Sequence, residues 1–219
     1  MVRKIEFSEI RKEELTKAAI RSVALKGFDL VTLDDVAKEA GFSKGIVTYY
    51  FKTREELLIS VVRMMWANLL DMTRDAWELP DQIDDPEEVY SRVREYYANP
   101  KVDLIAVIKN GVNILVSMFD ENRHILRVTG ELWCQVPRNK MVAELSTHMQ
   151  EVIIGTTAVF IQAGAKRGVF KKRNPQLAAY ILVSTITGAA FSHVVSKGSL
   201  DSKKLKKELT DHILLYLCK

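Results

Sequence analysis

Residues 32–54 constrain the fold of this 219-residue chain most, because their pattern is typical of two short helices joined by a tight turn. Thr32 precedes an amphipathic run and is predicted to cap it by accepting a backbone N–H bond. Gly41 follows that run, where a residue in the left-handed conformation ends a helix without a Cβ clash. Ser43 is predicted to cap a second helix. The spacing therefore predicts a helix-turn-helix with crossed helices.

The second helix, over about residues 44–51, has an unusual composition for a helix buried in a core. Ile46, Val47 and Phe51 supply its predicted buried face, and most other positions carry hydroxyls or positive charge. Gly45 lowers helix stability by roughly 1 kcal/mol relative to Ala, and it lets a partner approach the backbone closely. On the pattern alone, a solvated helical hairpin with an aromatic core contact remains the alternative.

Hydroxyls and cations on an exposed helix suit the major groove of DNA, where they contact phosphate oxygens and base edges. Lys44 is the candidate for reading a base, and Tyr49 is the candidate for contacting the phosphate backbone. The predicted DNA-binding residues are Thr32, Ser43, Lys44, Gly45, Thr48, Tyr49, Tyr50, Lys52 and Arg54.

A set of small, aromatic and turn residues is distributed over about the first 60 residues, at Ala18, Ala19, Gly27, Phe28, Thr32, Val36, Ala37, Ala40, Gly41, Ser43, Gly45, Tyr50, Phe51 and Leu57. On these residues the chain resembles the tetracycline-repressor family of bacterial transcriptional regulators. The resemblance implies a homodimer that binds a palindromic operator through its N-terminal domain. It also implies that a small-molecule inducer releases the protein from that operator, most often to relieve repression.

Two positions depart from the pattern of the family. Members commonly carry Tyr where this chain has Thr48, and Lys where it has Arg54. Thr48 has a shorter reach than Tyr, so we expect Tyr49 to carry more of the contact with the DNA backbone. The choline-responsive branch of the family is similar around the second helix, over too short a segment to imply a ligand.

Charge and composition set broader limits. The chain carries a net charge of +4, of which residues 1–54 contribute +3, so the excess lies on the segment predicted to meet DNA. No run reaches the roughly 18 apolar residues of a membrane span, and the N-terminus lacks an apolar signal core. Cys134 and Cys218 have no metal-ligand spacing and are expected to be free thiols. We therefore predict a cytoplasmic protein with no membrane partner.

Helical periodicity, ended by prolines and glycines, extends over the rest of the chain. The predicted helices cover residues 8–26, 33–40, 44–51, 55–79, 87–98, 102–119, 121–136, 140–168, 175–196 and 201–218. The predicted fold is all-α, with an N-terminal three-helix DNA-binding domain at 1–54. A larger helical domain for ligand binding and dimerisation is predicted at 55–219, after a polar break that begins at Pro80.

Small residues mark one face of each of the helices 140–168 and 175–196. They are Gly155, Thr156, Ala158, Gly164 and Ala165 on the first, and Ala178, Ala179, Ser184, Gly188 and Ala189 on the second. We predict that these faces form a homodimer interface, because a two-fold protein matches a palindromic operator. Tight packing within one subunit is the alternative.

The chain has no GxGxxG, GxxxxGK[ST] or HExxH motif. We therefore expect no enzyme activity, no cofactor and no metal. Large apolar side chains interrupted by a few polar groups instead predict a small-molecule pocket. The candidate residues are Met65, Trp66, Asn110, Asn113, Met118, Glu131, Trp133 and Phe160. Aromatic rings with one acid would favour a cationic ligand.

The favoured hypothesis is a ligand-responsive DNA-binding regulator in which the helix at 55–79 couples the two domains. The first alternative is a DNA-binding or protein-interaction module without a ligand. The second is an enzyme with a fused DNA-binding head, which the missing motifs disfavour.

Overall fold

The protein's computed structural model describes residues 2–77, 86–121, 123–196 and 201–218. Over those ranges the chain forms ten helices and no strand, which confirms the predicted all-α fold. The helices are α1 Val2–Lys26, α2 Leu33–Ala40, α3 Lys44–Tyr50, α4 Arg54–Trp77, α5 Pro86–Ala98, α6 Leu104–Glu121, α7 Arg123–Gln135, α8 Lys140–Lys166, α9 Pro175–Val195 and α10 Ser202–Leu217. None of these helices, where described, is both long and apolar enough to cross a membrane.

Most predicted helix bounds lie within two residues of the observed ones, because prolines and capping residues are local signals. The exception is α1, which begins at Val2 instead of the predicted Ser8. The predicted helix end at Leu79, the polar break that begins at Pro80 and the predicted stop at Gly198 lie outside the described residues.

The chain divides into two compact units, each made of two segments. The N-terminal unit contains Met1–Leu70 and His124–Thr147, and the second unit contains Asp71–Arg123 and His148–Lys219. The N-terminal unit therefore holds more of the chain than the predicted domain at residues 1–54, since parts of α4, α7 and α8 belong to it. A functional boundary at residue 54 stays a prediction.

The core of the N-terminal unit is built from α1, α2, α3 and α4 together with parts of α7 and α8. Val128 and Leu132 of α7 and Val142 of α8 are buried in the same apolar cluster as the helix-turn-helix. The buried residues that the first four helices and their turns contribute include Leu15, Val23, Phe28, Val31, Val36, Val47, Phe51, Leu57 and Val61. The helix-turn-helix thus shares its core with residues about 100 positions further along the chain.

The cap of α2 is formed as predicted. The Thr32 hydroxyl accepts the Asp35 N–H at 3.2 Å, and the Asp35 carboxylate accepts the Thr32 N–H at 3.1 Å. Hydrogen bonds from Lys26 and then Thr32 lower the pKa of Asp35 from 3.8 to about 2. Since the folded-state pKa is depressed, the stabilisation by ionised Asp35 is present above about pH 4 and is lost as the pH falls through about 2. Gly41 ends the helix at φ 72°, in the left-handed region.

The predicted side-chain cap at Ser43 is wrong. Ser43 occupies the N-cap position of α3, but its hydroxyl makes no capping hydrogen bond. Its backbone carbonyl instead accepts the N–H of Ile46 at 3.0 Å. The residue is exposed, so water can satisfy both the hydroxyl and the first N–H groups of the helix.

Two glycines of α8 pack against aromatic rings of their own subunit, and a dimer face on this helix stays a prediction. A Cβ added at Gly155 would lie 2.5 Å from the Tyr90 ring, and one at Gly164 would collide with Phe170. Thr156 and Ala158 on α8 are buried, as are Ala178 and Ala179 on α9. The glycines are needed because aromatic rings of the same unit occupy the space of their missing side chains.

The two N-caps of the helix-turn-helix provide a matched test of this account. Thr32→Ala removes a capping hydroxyl and is expected to lower the free energy of unfolding by about 1 kcal/mol. Ser43→Ala removes a hydroxyl without a capping bond and is expected to change the free energy of unfolding by only about a few tenths of a kcal/mol. Urea denaturation followed by circular dichroism measures both variants, and equal losses would contradict the assignment of the caps.

Candidate functional site

Helix α3 exposes most of its surface and is held by two buried side chains. Val47 is fully buried, and Phe51, which follows the helix, is 1% exposed. Ile46 was predicted to be buried with them but is 37% exposed. Consecutive helix positions are about 100° apart, and here Val47 points into the core while Ile46 lies at the edge of the buried face. The exposed residues of α3 are Lys44, Gly45, Ile46 and Tyr49.

Tyr49 projects from α3 with 69% of its surface exposed. Its ring packs edge-to-face on Tyr50, with 5.1 Å between ring centroids, and Tyr50 packs against the core of the unit. The Lys52 ammonium lies 5.5 Å from the Tyr49 ring centroid. Within the part of the chain that the structure describes, the Tyr49 hydroxyl makes no hydrogen bond. A supported ring with an available donor next to a cation suits contact with a phosphate.

Thr48 and Lys44 are both engaged within the helix-turn-helix. The Thr48 hydroxyl lies 3.1 Å from the backbone carbonyls of both Lys44 and Gly45, to which it donates. Lys44 Nζ pairs with the Asp34 carboxylate at 2.7 Å, and the two side chains are 61% and 51% exposed. Such exposed pairs contribute at most about 1 kcal/mol. A DNA group can therefore replace Asp34 as the partner of Lys44.

Two of the predicted DNA-binding residues, Arg54 and Thr32, make hydrogen bonds that hold the helices in place. Arg54 Nε donates to the Val31 carbonyl at 2.9 Å, which ties the start of α4 to the segment before α2. The Thr32 hydroxyl accepts from Asp35 N and donates to its carboxylate at 2.8 Å. The residues on α3 or at its ends are Ser43, Lys44, Gly45, Thr48, Tyr49, Tyr50 and Lys52. Contact of any of the nine residues with DNA stays a prediction.

Glu131 of α7 fastens the turn that follows α1. Its carboxylate accepts the Phe28 N–H at 3.1 Å, and Gly27 adopts φ 83° beside it. A Cβ at Gly27 would lie 3.1 Å from a Glu131 oxygen. Gln135 Nε2 also donates to the Asp29 carboxylate at 2.9 Å. The sequence predicts that Glu131 contacts a ligand. In the structure its carboxylate accepts a backbone N–H from the turn between α1 and α2.

The other predicted ligand residues of the N-terminal unit differ in exposure. Met65 is partly buried and packs against the core of the unit. Trp133 is 51% exposed on α7. The side chain of Trp66 lies outside the described residues.

The second unit contains an apolar cavity of about 150 Å³. Helix α6 contributes the longest stretch of its wall, with Val107, Ile108, Gly111, Val112 and Leu115. Tyr97 of α5 and residues of α8, α9 and α10 complete the lining, namely Thr156, Thr157, Phe160, Leu182, Ile186 and Ile213. The α6 residues have helical spacing, and that apolar stripe is the sequence signal by which they could have been found.

Phe160 is the predicted ligand residue that lines this cavity. Asn110 and Asn113 are exposed on α6, and Met118 is half-buried on the same helix without lining the cavity. Amide side chains in an otherwise apolar helix predict the polar groups of a small-molecule pocket. On an amphipathic helix they occupy the solvent side instead.

A partly buried polar cluster joins α6, α9 and α10 in the second unit. The Ser202 hydroxyl donates to the Asp120 carboxylate at 2.6 Å and lies 3.2 Å from His193 Nε2. His193 Nδ1 is buried without a hydrogen-bond partner. A Ser–His–Asp relay needs Ser and Asp on opposite ring nitrogens. Here both lie on the Nε2 side, so the geometry suits cross-linking of three helices and not activation of the serine.

Comparisons with known proteins agree with the arrangement of the N-terminal unit. Residues 15–61 match the family described as bacterial regulatory proteins, tetR family. The HTH-type transcriptional regulator BetI of Agrobacterium fabrum is 32% identical over 90 residues, which cover 41% of this chain and 42% of BetI. The match therefore spans less than half of that relative.

Two longer matches cover nearly the whole chain. The HTH-type transcriptional regulator YhgD of Bacillus subtilis is 23% identical over 199 residues, covering 89% of this chain and 90% of YhgD. A structure described as a transcriptional regulator from Saccharomonospora viridis in complex with choline has a TM-score of 0.70 at 21% identity, covering 97% of this chain and 99% of that one. These findings confirm the resemblance to the tetracycline-repressor family and show the shared fold.

Tyr49→Phe removes the one polar group of the most exposed aromatic residue of α3. We expect it to weaken binding to selected and to random duplexes alike, by about fivefold, because phosphate contacts carry no sequence information. Fluorescence anisotropy with both kinds of duplex measures the effect. Tyr96→Phe on α5 is the control and is expected to bind as wild type. A loss confined to one sequence would contradict the phosphate role.

Proposed function

We propose that this chain, whose resemblance to the tetracycline-repressor family is established, is a ligand-responsive DNA-binding transcriptional regulator of the cytoplasm. A homodimer holds a palindromic operator, and a small-molecule inducer bound in the second unit releases it. The observation that carries the proposal is the exposed surface of α3, with hydroxyls, cations and an accessible backbone, in a helix-turn-helix whose first helix α2 is capped by Thr32.

The size of α3 supports its placement in the major groove. A helix with its side chains is about 10–12 Å across, which fits a groove about 12 Å wide, and the seven residues of α3 extend about 10 Å along it. In this arrangement Lys44 exchanges Asp34 for a base edge, and Tyr49 and Lys52 contact phosphates. Arg54 and Thr32 act indirectly, since their bonds fix the segments that position α3.

Gly45 supplies independent support for a close partner. A Cβ at this position would meet nothing nearer than the Ser43 hydroxyl at 3.8 Å. Packing within the protein therefore does not require glycine here, although glycine weakens the helix. A partner that approaches the backbone of the first turn of α3 explains why a side chain is absent.

The exposed face of α9 supports the dimer. Leu177, Tyr180, Ile181 and Val195 are between 40% and 61% exposed, and they recur at roughly helical spacing together with exposed Ser184 and Gly188. An apolar stripe of this kind is uncommon on a monomer and marks an interaction surface. A second copy of the chain is the occupant that a palindromic operator requires.

Ligand control requires that the inducer prefer one of two states of the protein, since it shifts their equilibrium only by its differential affinity. Helices α4 and α8 each contribute residues to both units, which gives a covalent route between them. The test is a thermal-shift screen of small molecules, followed by titration of each hit into the operator complex. Hits that raise the melting temperature and release DNA support the proposal. Hits that leave the DNA affinity unchanged would favour a regulator without ligand control.

Gly45→Ala separates stability from DNA binding. We expect the substitution to raise the free energy of unfolding by up to about 1 kcal/mol, because alanine favours the helix. We expect it also to weaken DNA binding at least tenfold, because the new methyl group occupies the approach of the partner. Gly111→Ala on α6, also with open space at its Cβ, is the matched control and should bind DNA normally. Unchanged DNA affinity for Gly45→Ala would contradict the close approach.

Ile181→Lys tests the dimer face. Two lysines in an apolar interface are expected to raise the dimer dissociation constant at least tenfold and to weaken operator binding, without loss of helical content. Sedimentation velocity measures the association. The control is Leu25→Lys on α1, where an exposed leucine lies outside the proposed interface. Undiminished dimerisation of Ile181→Lys would show that α9 is not the interface.

A further inference from the structure

We propose that the cavity of the second unit takes an uncharged, mainly apolar ligand about as large as one aromatic ring or a short alkyl chain, and that it excludes cations such as choline. This inference rests on the proposed function, because it names the class of inducer that the same site would bind. The proposed ligand differs from the choline bound in the Saccharomonospora viridis structure, whose sequence is only 21% identical to this chain.

Among the residues that the structure describes, the lining of the cavity provides no charge to neutralise an ion. Its residues are aliphatic or aromatic, apart from glycine and two threonines. The Thr156 hydroxyl donates to the Val152 and Ile153 carbonyls at 2.9 and 3.0 Å, and the Thr157 hydroxyl donates to Ile153 at 2.7 Å. Both hydroxyl protons are therefore held by the backbone of α8. A ligand hydroxyl can still donate to their oxygens, whereas neither threonine offers a carboxylate a hydroxyl proton.

Recognition of a cation by aromatic faces is also disfavoured. Tyr97 and Phe160 are the aromatic residues of the lining, and they pack edge-to-face on each other at 4.9 Å between centroids. Phe160 packs in the same way on Phe170 at 5.2 Å. An ammonium ion is held over ring faces, commonly of several residues. Here the edge-to-face contacts among these rings cover much of the ring-face area that an ammonium ion would contact.

Two acids of α6 and α7, Asp120 and Glu131, are engaged in other contacts. Asp120 accepts the Ser202 hydroxyl at 2.6 Å in the polar cluster. Glu131 accepts the Phe28 N–H at 3.1 Å in the N-terminal unit. Transfer of an unpaired charge into an apolar site costs several kcal/mol or more. The cavity therefore selects against choline and against carboxylates by the absence of a counter-charge.

The volume of the cavity sets the size of the ligand. Dry apolar cavities of about 150 Å³ accept benzene-sized molecules in other proteins. Drug-sized ligands occupy pockets of about 300 Å³ or more. A ligand of about six or seven non-hydrogen atoms therefore fills the interior of this cavity, which is partly open at its mouth.

Two pairs of probes isolate charge from shape. 3,3-Dimethylbutan-1-ol has the shape of choline with carbon in place of nitrogen, and hexan-1-ol is matched to hexanoate at pH 7. Isothermal titration calorimetry on the full chain without DNA measures all four affinities. We expect each alcohol to bind at least tenfold more tightly than its charged partner. Equal or tighter binding of choline or hexanoate would overturn the proposal, as would the failure of both alcohols to bind.

Gly111→Leu tests whether the alcohols occupy this cavity. A Cβ at Gly111 meets no atom within 4 Å, so the leucine side chain can enter the open space and is expected to weaken hexan-1-ol binding at least tenfold. Asn110→Leu, at the exposed neighbouring position, should bind as wild type. Gly111→Ala is the milder variant, and it should shift the preferred alcohol toward a shorter chain. Unchanged binding and chain-length preference would place the alcohols elsewhere and overturn the proposal.

Release of operator DNA is measured separately, so the two proposals fail in different ways. Alcohols that bind in the cavity without releasing DNA would leave the ligand class intact and refute ligand-controlled regulation by that site. Choline that binds and releases DNA would refute the ligand class and support the regulator.

Discussion

The burial of Val47 and Phe51 is the constraint on which the proposed DNA-binding surface depends. Both side chains lie in the core of the N-terminal unit with at most 1% exposure. They fix the rotation of a seven-residue helix that is too short to be stable alone. Lys44 and Tyr49 are exposed because these two anchors point the other way. Loss of a buried phenylalanine typically costs about 3–5 kcal/mol, so the anchors stabilise the site and define it.

The core that holds α3 is assembled from distant parts of the chain. Val128 and Leu132 of α7 are buried in the same cluster, and Glu131 between them accepts a backbone N–H of Phe28. The position of the helix-turn-helix therefore depends on α7 as well as on α4. Any change of state that repacks this part of α7 changes the support of the turn after α1.

Local signals in the sequence predicted most of the fold. The cap at Thr32, the stop at Gly41 and the helix ends at prolines were correct because each depends on neighbouring residues. The predicted side-chain cap at Ser43 and the predicted burial of Ile46 were wrong, because the rotation and packing of α3 leave both residues exposed. Tertiary contacts of this kind leave no local pattern.

The candidate sites also contain some features that the local sequence predicts and others that depend on tertiary contacts. The exposed residues of α3 follow from its composition, whereas the bond from Arg54 to the Val31 carbonyl does not. Most predicted ligand residues were chosen by type, yet the cavity is lined by ordinary aliphatic residues of α6 and by Phe160. Residue type alone cannot distinguish the cavity side of a helix from its solvent side, as Asn110 and Gly111 show.

The most direct test of the account is a selection of binding sites from random duplex DNA by the purified protein and by Lys44→Ala in parallel. The account predicts that wild type enriches an inverted repeat whose half-sites are centred about 34–36 Å, or a multiple of that distance, apart. Lys44→Ala should lose base preference at one symmetric position in each half-site. Identical sequences selected by both proteins, or no inverted repeat from wild type, would contradict the claim that α3 reads DNA as part of a two-fold dimer.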